Sequence, residues 1–301
     1  MTHVTTRLMM NPILYLTYPI NGLLMIALPI GLGVFLTKKF GLGWRLWWIG
    51  GATFVLSQVG HIPFNLGLTQ LFKLGILPSP PTSWKMPFNA VVLGLSAGLW
   101  EETARYFMYR WWAKDARSWR KGLLTGAGHG GVEAILLGGL VLFTYVEMLA
   151  LRGVDLSQLV PADQLGLAQS QMAAYWSAPW YATLLGALER AFTIPTQIAL
   201  AVIVLQAFTR RQIRWLWIAV GWHAAADAIT VMGLSLWGPY IVEGLIGCIS
   251  LISVWVIFAL RSPEPDEPEE TEALASPELA TAPHLTLVEE TPENLDRTRY
   301  N

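Results

Sequence analysis

Long apolar runs, broken at intervals by short basic connections, fill the first 260 residues of the chain. Seven of them are long enough to cross a hydrocarbon core of about 30 Å as helices: about 12–36, 44–65, 88–110, 121–149, 179–207, 212–232 and 239–260. Between the second and third, 66–87 reads as a short amphipathic segment followed by a loop rich in proline (Pro78, Pro80, Pro81). Between the fourth and fifth, 150–178 reads as a longer polar loop at the membrane surface. The pattern predicts an all-α, polytopic transmembrane bundle over residues 1–260. The first run lacks a short, basic, cleavable leader pattern and is long enough to stay as a span.

Charge orients this bundle. The first connection carries Lys38, Lys39 and Arg45; the third carries Lys114, Arg117, Arg120 and Lys121; the fifth carries Arg210, Arg211 and Arg214. The even connections carry Lys73 and Lys85, then Arg152, then no lysine or arginine. Basic residues collect on the cytoplasmic side, so the N-terminus is expected outside and the C-terminus inside. Tryptophans near span ends, such as Trp44, Trp47, Trp111, Trp112, Trp180 and Trp215, suit interfacial belts.

Composition sharpens the picture in two ways. Charged residues are 14% and hydrophobic ones 53%, far from the roughly 25% charge of a soluble domain. Eleven of the 21 acids follow Arg261, so residues 261–301 read as an acidic, disordered cytoplasmic tail. No feature points to nucleic acid, and the single cysteine, Cys248, excludes both an intramolecular disulfide and a thiolate metal cluster. No internal repeat supports an inverted-repeat transporter.

The remaining acids matter most, because most of them lie inside the spans. A charge at mid-bilayer costs at least about 2.5–3.5 kcal/mol on insertion scales, which makes each one a functional candidate. The third run contains Glu101, Glu102 and Arg105, with Glu101 and Arg105 four apart on one face and Glu102 lacking a local partner. The fourth contains His129 and Glu133 among glycines that permit close approach of a neighbouring helix or a substrate backbone. The fifth contains Glu189, Arg190 and Gln197; the sixth contains His223 and Asp227, again four apart. At 1.5 Å per residue, Glu102, His129, Gln197 and His223 come out roughly 12–17 Å from the cytoplasmic ends, a common depth. Five carboxylates against two arginines leave a negative surplus to be met by protonation, charged histidine or a bound cation. Glu189–Arg190 reads as a structural ion pair, His61 as a hydrogen-bonded core histidine, and Glu147 and Glu243 as end residues that reach water.

Taken together, these motifs resemble those of the YhfC-type intramembrane metalloproteases and, more distantly, the PrsW and CAAX-protease/bacteriocin-processing families, over roughly residues 50–250. The resemblance rests on the tandem glutamate and arginine (Glu101, Glu102, Arg105), the glycine-rich segment (His129, Gly130, Gly131, Glu133) and His223 with Asp227. Where the family pattern carries a histidine after an arginine-containing motif, this chain has Gln197, and Pro195 stands beside it. The resemblance implies peptide-bond hydrolysis in a bacterial cytoplasmic membrane, on a membrane protein or peptide substrate. Glu102 or Glu101 would activate water, His223 would stabilise the oxyanion with help from Gln197, Asp227 would orient His223, and Arg105 would hold the glutamates. A variant adds a divalent metal, zinc by preference, held by His129, Glu133 and His223. Two non-proteolytic alternatives stand beside it: a catalytically impaired relative that binds membrane segments, and a proton-coupled carrier.

Overall fold

The structure, a computed structural model, describes residues 11–263. Among these residues it contains eight α-helices and no strand: α1 (Leu14–Phe40), α2 (Arg45–Lys73), α3 (Lys85–Phe107), α4 (Trp119–Ala150), α5 (Ala162–Ser177), α6 (Leu185–Thr209), α7 (Arg214–Trp237) and α8 (Pro239–Ala259). The expected acidic tail lies outside the described residues, apart from its first three positions.

Five of the seven expected runs are helices long and apolar enough to cross a membrane: α1, α4, α6 with the turn before it, α7 and α8. The other two, α2 and α3, also form and have 29 and 23 residues. They fall short in apolar character because they carry Gln58, His61 and Asn65, and Glu101, Glu102 and Arg105. Two connections differ from expectation. Helix α2 runs on to Lys73, so no separate amphipathic segment follows it. The stretch 150–178 is not a plain loop, because α5 occupies most of it; its alanines and leucines favour helix, and a reading keyed to long apolar runs passes over them.

Helix α6 is the axis of the bundle, packed against α1, α3, α4, α7 and α8. Its residues from Thr196 to Ala207 are all buried. A helix apolar on every side is one that other helices surround. Pro195 sits inside α6 without ending it. Helix α3 continues into a π-helical turn, Met108–Trp112, that buries Tyr109. The Tyr109 hydroxyl lies 2.7 Å from Thr125 on α4 and 3.1 Å from the Ala201 carbonyl on α6, which anchors the end of α3 to both helices.

Small residues set how closely the helices approach, as expected where lipid supplies no hydrophobic drive between them. Helix α3 meets α7 at Gly94 and Gly98, where an added Cβ would stand 2.4 Å from the Ala224 carbonyl and 2.7 Å from that of Val220. That contact brings the glutamates of α3 beside His223. Helix α4 meets α2 at Gly128, where a Cβ would lie 1.9 Å from the Trp47 carbonyl oxygen. Outside the core, Arg45 donates to both carboxylate oxygens of Asp115, at 2.9 and 3.1 Å, tying the α3–α4 connection to the start of α2. This hydrogen bonding holds the Asp115 carboxyl below the usual range, though both side chains are over half exposed and the pair adds little stability.

Gly128→Leu is expected to destabilise the bundle by at least the roughly 1–3 kcal/mol of an overpacked core, because backbone stands in the way. Gly139→Leu on the same helix meets nothing within 4 Å and is expected to be neutral. Thermal unfolding in detergent compares them; equal midpoints would contradict the α2–α4 packing.

Candidate active site

Of the candidate polar residues on α3, α4, α6 and α7, all but Glu102, Arg105 and His129 line one cavity of about 140 Å³. Glu101, Glu133, Gln197, His223 and Asp227 line it, with Glu189, Arg190 and threonines 193, 196 and 230 completing the polar wall. Ile246 and Ile249 of α8 close one side. The space has room for several waters, and its walls are polar enough to bind them. Asp227, its side chain 41% exposed, and Glu189 at 36% mark the open end.

The two adjacent glutamates have different surroundings. Glu102 is completely buried, and its Oε1 accepts from Arg105 and from His223 Nδ1, the latter at 2.7 Å. It does not border the cavity. Glu101 does. Its Oε1 accepts from Gln58 Nε2 and its Oε2 from His129 Nε2, each at 3.1 Å. Helical geometry explains the split, because successive residues on a helix point about 100° apart.

Within α3, Arg105 pairs with Glu101 at 3.8 Å, as the spacing predicts, but its closer bond is to Glu102, three residues away, which therefore does have a local partner. On α6, Gln197 Oε1 accepts from the other side of the same guanidinium. Gln197 in turn donates through Nε2 to Glu133 at 2.8 Å. It thus joins two ion-pair groups, one built on Arg105 and the other on Arg190, which bonds to Glu133 at 2.6 Å and to Glu189. Glu189–Arg190 is an ion pair as expected, with Glu133 as a third member.

The histidine–acid spacings fare unequally. His223 Nε2 lies 3.6 Å from Asp227, so that pair is formed, just beyond hydrogen-bond distance. His129 and Glu133 point to different partners, Glu101 and Arg190 respectively. The glycines around His129 serve helix packing: Gly126 faces Ile198, Gly128 faces Trp47 and Gly130 faces the Gln197 side chain. Glu243 is buried, with Oε2 unpartnered, rather than reaching water.

One set of polar residues escaped the sequence reading. Gln58, His61 and Asn65 form a stripe on one face of α2. Asn65 lies 2.9 Å from His61 Nε2, His61 Nδ1 lies 3.2 Å from Gln58 Oε1, and Gln58 donates on to Glu101. His61 is a hydrogen-bonded histidine away from the cavity, linked to Glu101 through Gln58. The i, i+3, i+7 spacing of three polar residues in an apolar run was the available signal.

As arranged, the donors do not fit a metal ion. Among the described residues, no three of His, Cys, Asp and Glu converge as a ligand set. His129, Glu133 and His223 each turn to a different partner. Two guanidiniums sit within the cluster, where a divalent cation would be repelled.

A family model described as "YhfC intramembrane metalloprotease" matches residues 24–249. The chain is 31% identical over 253 residues to the uncharacterized membrane protein YhfC of Bacillus subtilis (strain 168), covering 80% of this chain and 95% of that one. No solved structure matches. The chain belongs to the YhfC intramembrane metalloprotease family and is a multi-pass membrane protein.

Replacing Arg105 by methionine strands Glu102 in the core without its cation, and about 3–5 kcal/mol of stability should be lost. Adding Glu102→Gln to that variant should restore much of it. Strictly additive losses in a double-mutant cycle would mean that the two side chains do not depend on each other.

Proposed function

We propose that this YhfC-family chain hydrolyses a peptide bond of a membrane protein or peptide within the bilayer, with Glu101 as the general base. The observation that carries the reading is the cavity wall: Glu101, His223, Asp227 and Gln197 line one cavity of about 140 Å³ in a bundle of membrane helices. What favours Glu101 over Glu102 as the base is access. Glu101 borders the cavity, whereas Glu102 is fully buried behind it and bonded to Arg105 and His223.

In this mechanism Glu101 takes a proton from water as the water oxygen attacks the scissile carbonyl carbon. His223 donates through Nδ1 to Glu102 and, as the doubly protonated imidazolium, donates through Nε2 to the developing oxyanion. The C–N bond then breaks, and the proton held by Glu101 passes to the leaving nitrogen. Gln58 and His129 orient Glu101; Glu102 orients His223, and Asp227 at the open end, 3.6 Å from His223 Nε2, favours the charged ring. No step is routed through a metal.

In the same reading, α2 and α3 are two further spans, giving seven in all. Their lengths and their packing against α4 and α7 support this. The N-terminus is outside and the C-terminus inside a bacterial cytoplasmic membrane, as the basic connections indicate.

A second reading, a relative that binds membrane segments without cleaving them, draws on one observation. Gln197 stands where the family pattern carries a histidine, and an amide cannot take up a proton.

Membranes from cells carrying the wild-type chain or Glu101→Gln separate the two readings when their protein N-termini are profiled by mass spectrometry. Hydrolysis predicts termini inside apolar segments that fall by roughly 10²-fold or more in the variant. Identical sets of termini would contradict hydrolysis and leave the binding reading.

A further inference from the structure

A second cavity, of about 340 Å³, opens between the end of α2 and the start of α3, away from the site described above. Lys73, the last residue of α2, and Lys85, the first of α3, both line it. No carboxylate lines it, and among the described residues neither lysine has an ion-pair partner. Its wall along the helix bodies is mostly apolar, with Leu68, Val92 and Leu93 beside Phe72 and Phe88, whose rings meet edge to face at 5.7 Å. The polar residues on that wall are the neutral Asn65, Thr69 and Asn89. The cavity is thus cationic at the helix ends and uncharged, largely apolar, along the helix bodies.

The surroundings indicate from which side it is filled. The connection between the two helices exposes Leu74 (71%), Ile76 (64%) and Trp84 (65%). Apolar side chains so exposed beside helix ends belong in the interfacial layer of a bilayer, with tryptophan at headgroup level. The cavity is then entered from lipid, and its two lysines stand at the depth of the phosphates.

We propose that this cavity binds one anionic phospholipid, its phosphate between Lys73 and Lys85 and the start of an acyl chain along Phe72, Phe88 and Leu93. A soluble anion would have no use for the apolar wall, and a zwitterionic lipid brings a cation that the lysines repel. This inference stands independently of whether the buried site cleaves peptides.

Native mass spectrometry of the full chain in detergent tests it. The protein is offered equal amounts of phosphatidylglycerol and phosphatidylcholine with identical chains. Wild type should retain one phosphatidylglycerol in preference, and the preference should fall roughly fivefold for each of Lys73→Gln and Lys85→Gln. Asn89→Asp, which puts a carboxylate on the cavity wall, should lower it as well. Lys38→Gln with Lys39→Gln, at the end of α1, should leave it unchanged. No preference in the wild type overturns the proposal without reference to any variant. So does an equal loss in the Lys38 and Lys39 variant, which would reduce the effect to general surface charge.

Discussion

Arg105 and Glu102 are buried to within one per cent of completely and bonded to each other in the middle of a membrane bundle. Neither charge is tolerable there alone, since the effective penalty for burying an ion is several kcal/mol. The pair therefore obliges the surrounding helices to supply polar groups at one level. Helix α7 supplies His223 to Glu102, and α6 supplies Gln197 to Arg105. The close α3–α7 approach at Gly94 and Gly98 is what puts the imidazole within reach. The site depends on this arrangement as much as on any group that would touch substrate.

Once the pair is fixed, the rest of the cluster follows as two connected groups. Gln197 accepts from Arg105 with its carbonyl and donates to Glu133 with its amide nitrogen. A neutral imidazole does the same with its two ring nitrogens, one accepting and one donating. Glutamine at this position therefore keeps the network's connectivity where the family pattern has histidine. It gives up proton uptake, and in the proposed mechanism that duty falls on Glu101.

Much of this was legible in the sequence. The apolar runs gave the helices, and the ionisable residues inside them marked the four helices whose polar groups meet. The pairings were legible only within one helix: Glu101 with Arg105, Glu189 with Arg190 and His223 with Asp227 all form. The closer bond of Arg105 to Glu102 and the partners from other helices, His223 and Gln197, depend on how the helices pack. The stripe of Gln58, His61 and Asn65 was missed because His61 was weighed alone, without its neighbours on the same face. Helix α5 was missed because its residues are too polar for a span and too modestly patterned to stand out.

Carboxylates balanced by the protein's own guanidiniums and imidazoles need no bound cation. Elemental analysis of detergent-purified protein, with wild type beside His129→Ala and His223→Ala, should therefore find divalent metal well below one ion per chain in all three, from wild type that remains folded. About one zinc per wild-type chain, lost in both variants, would contradict that balance and would mean that the histidines regroup around a metal.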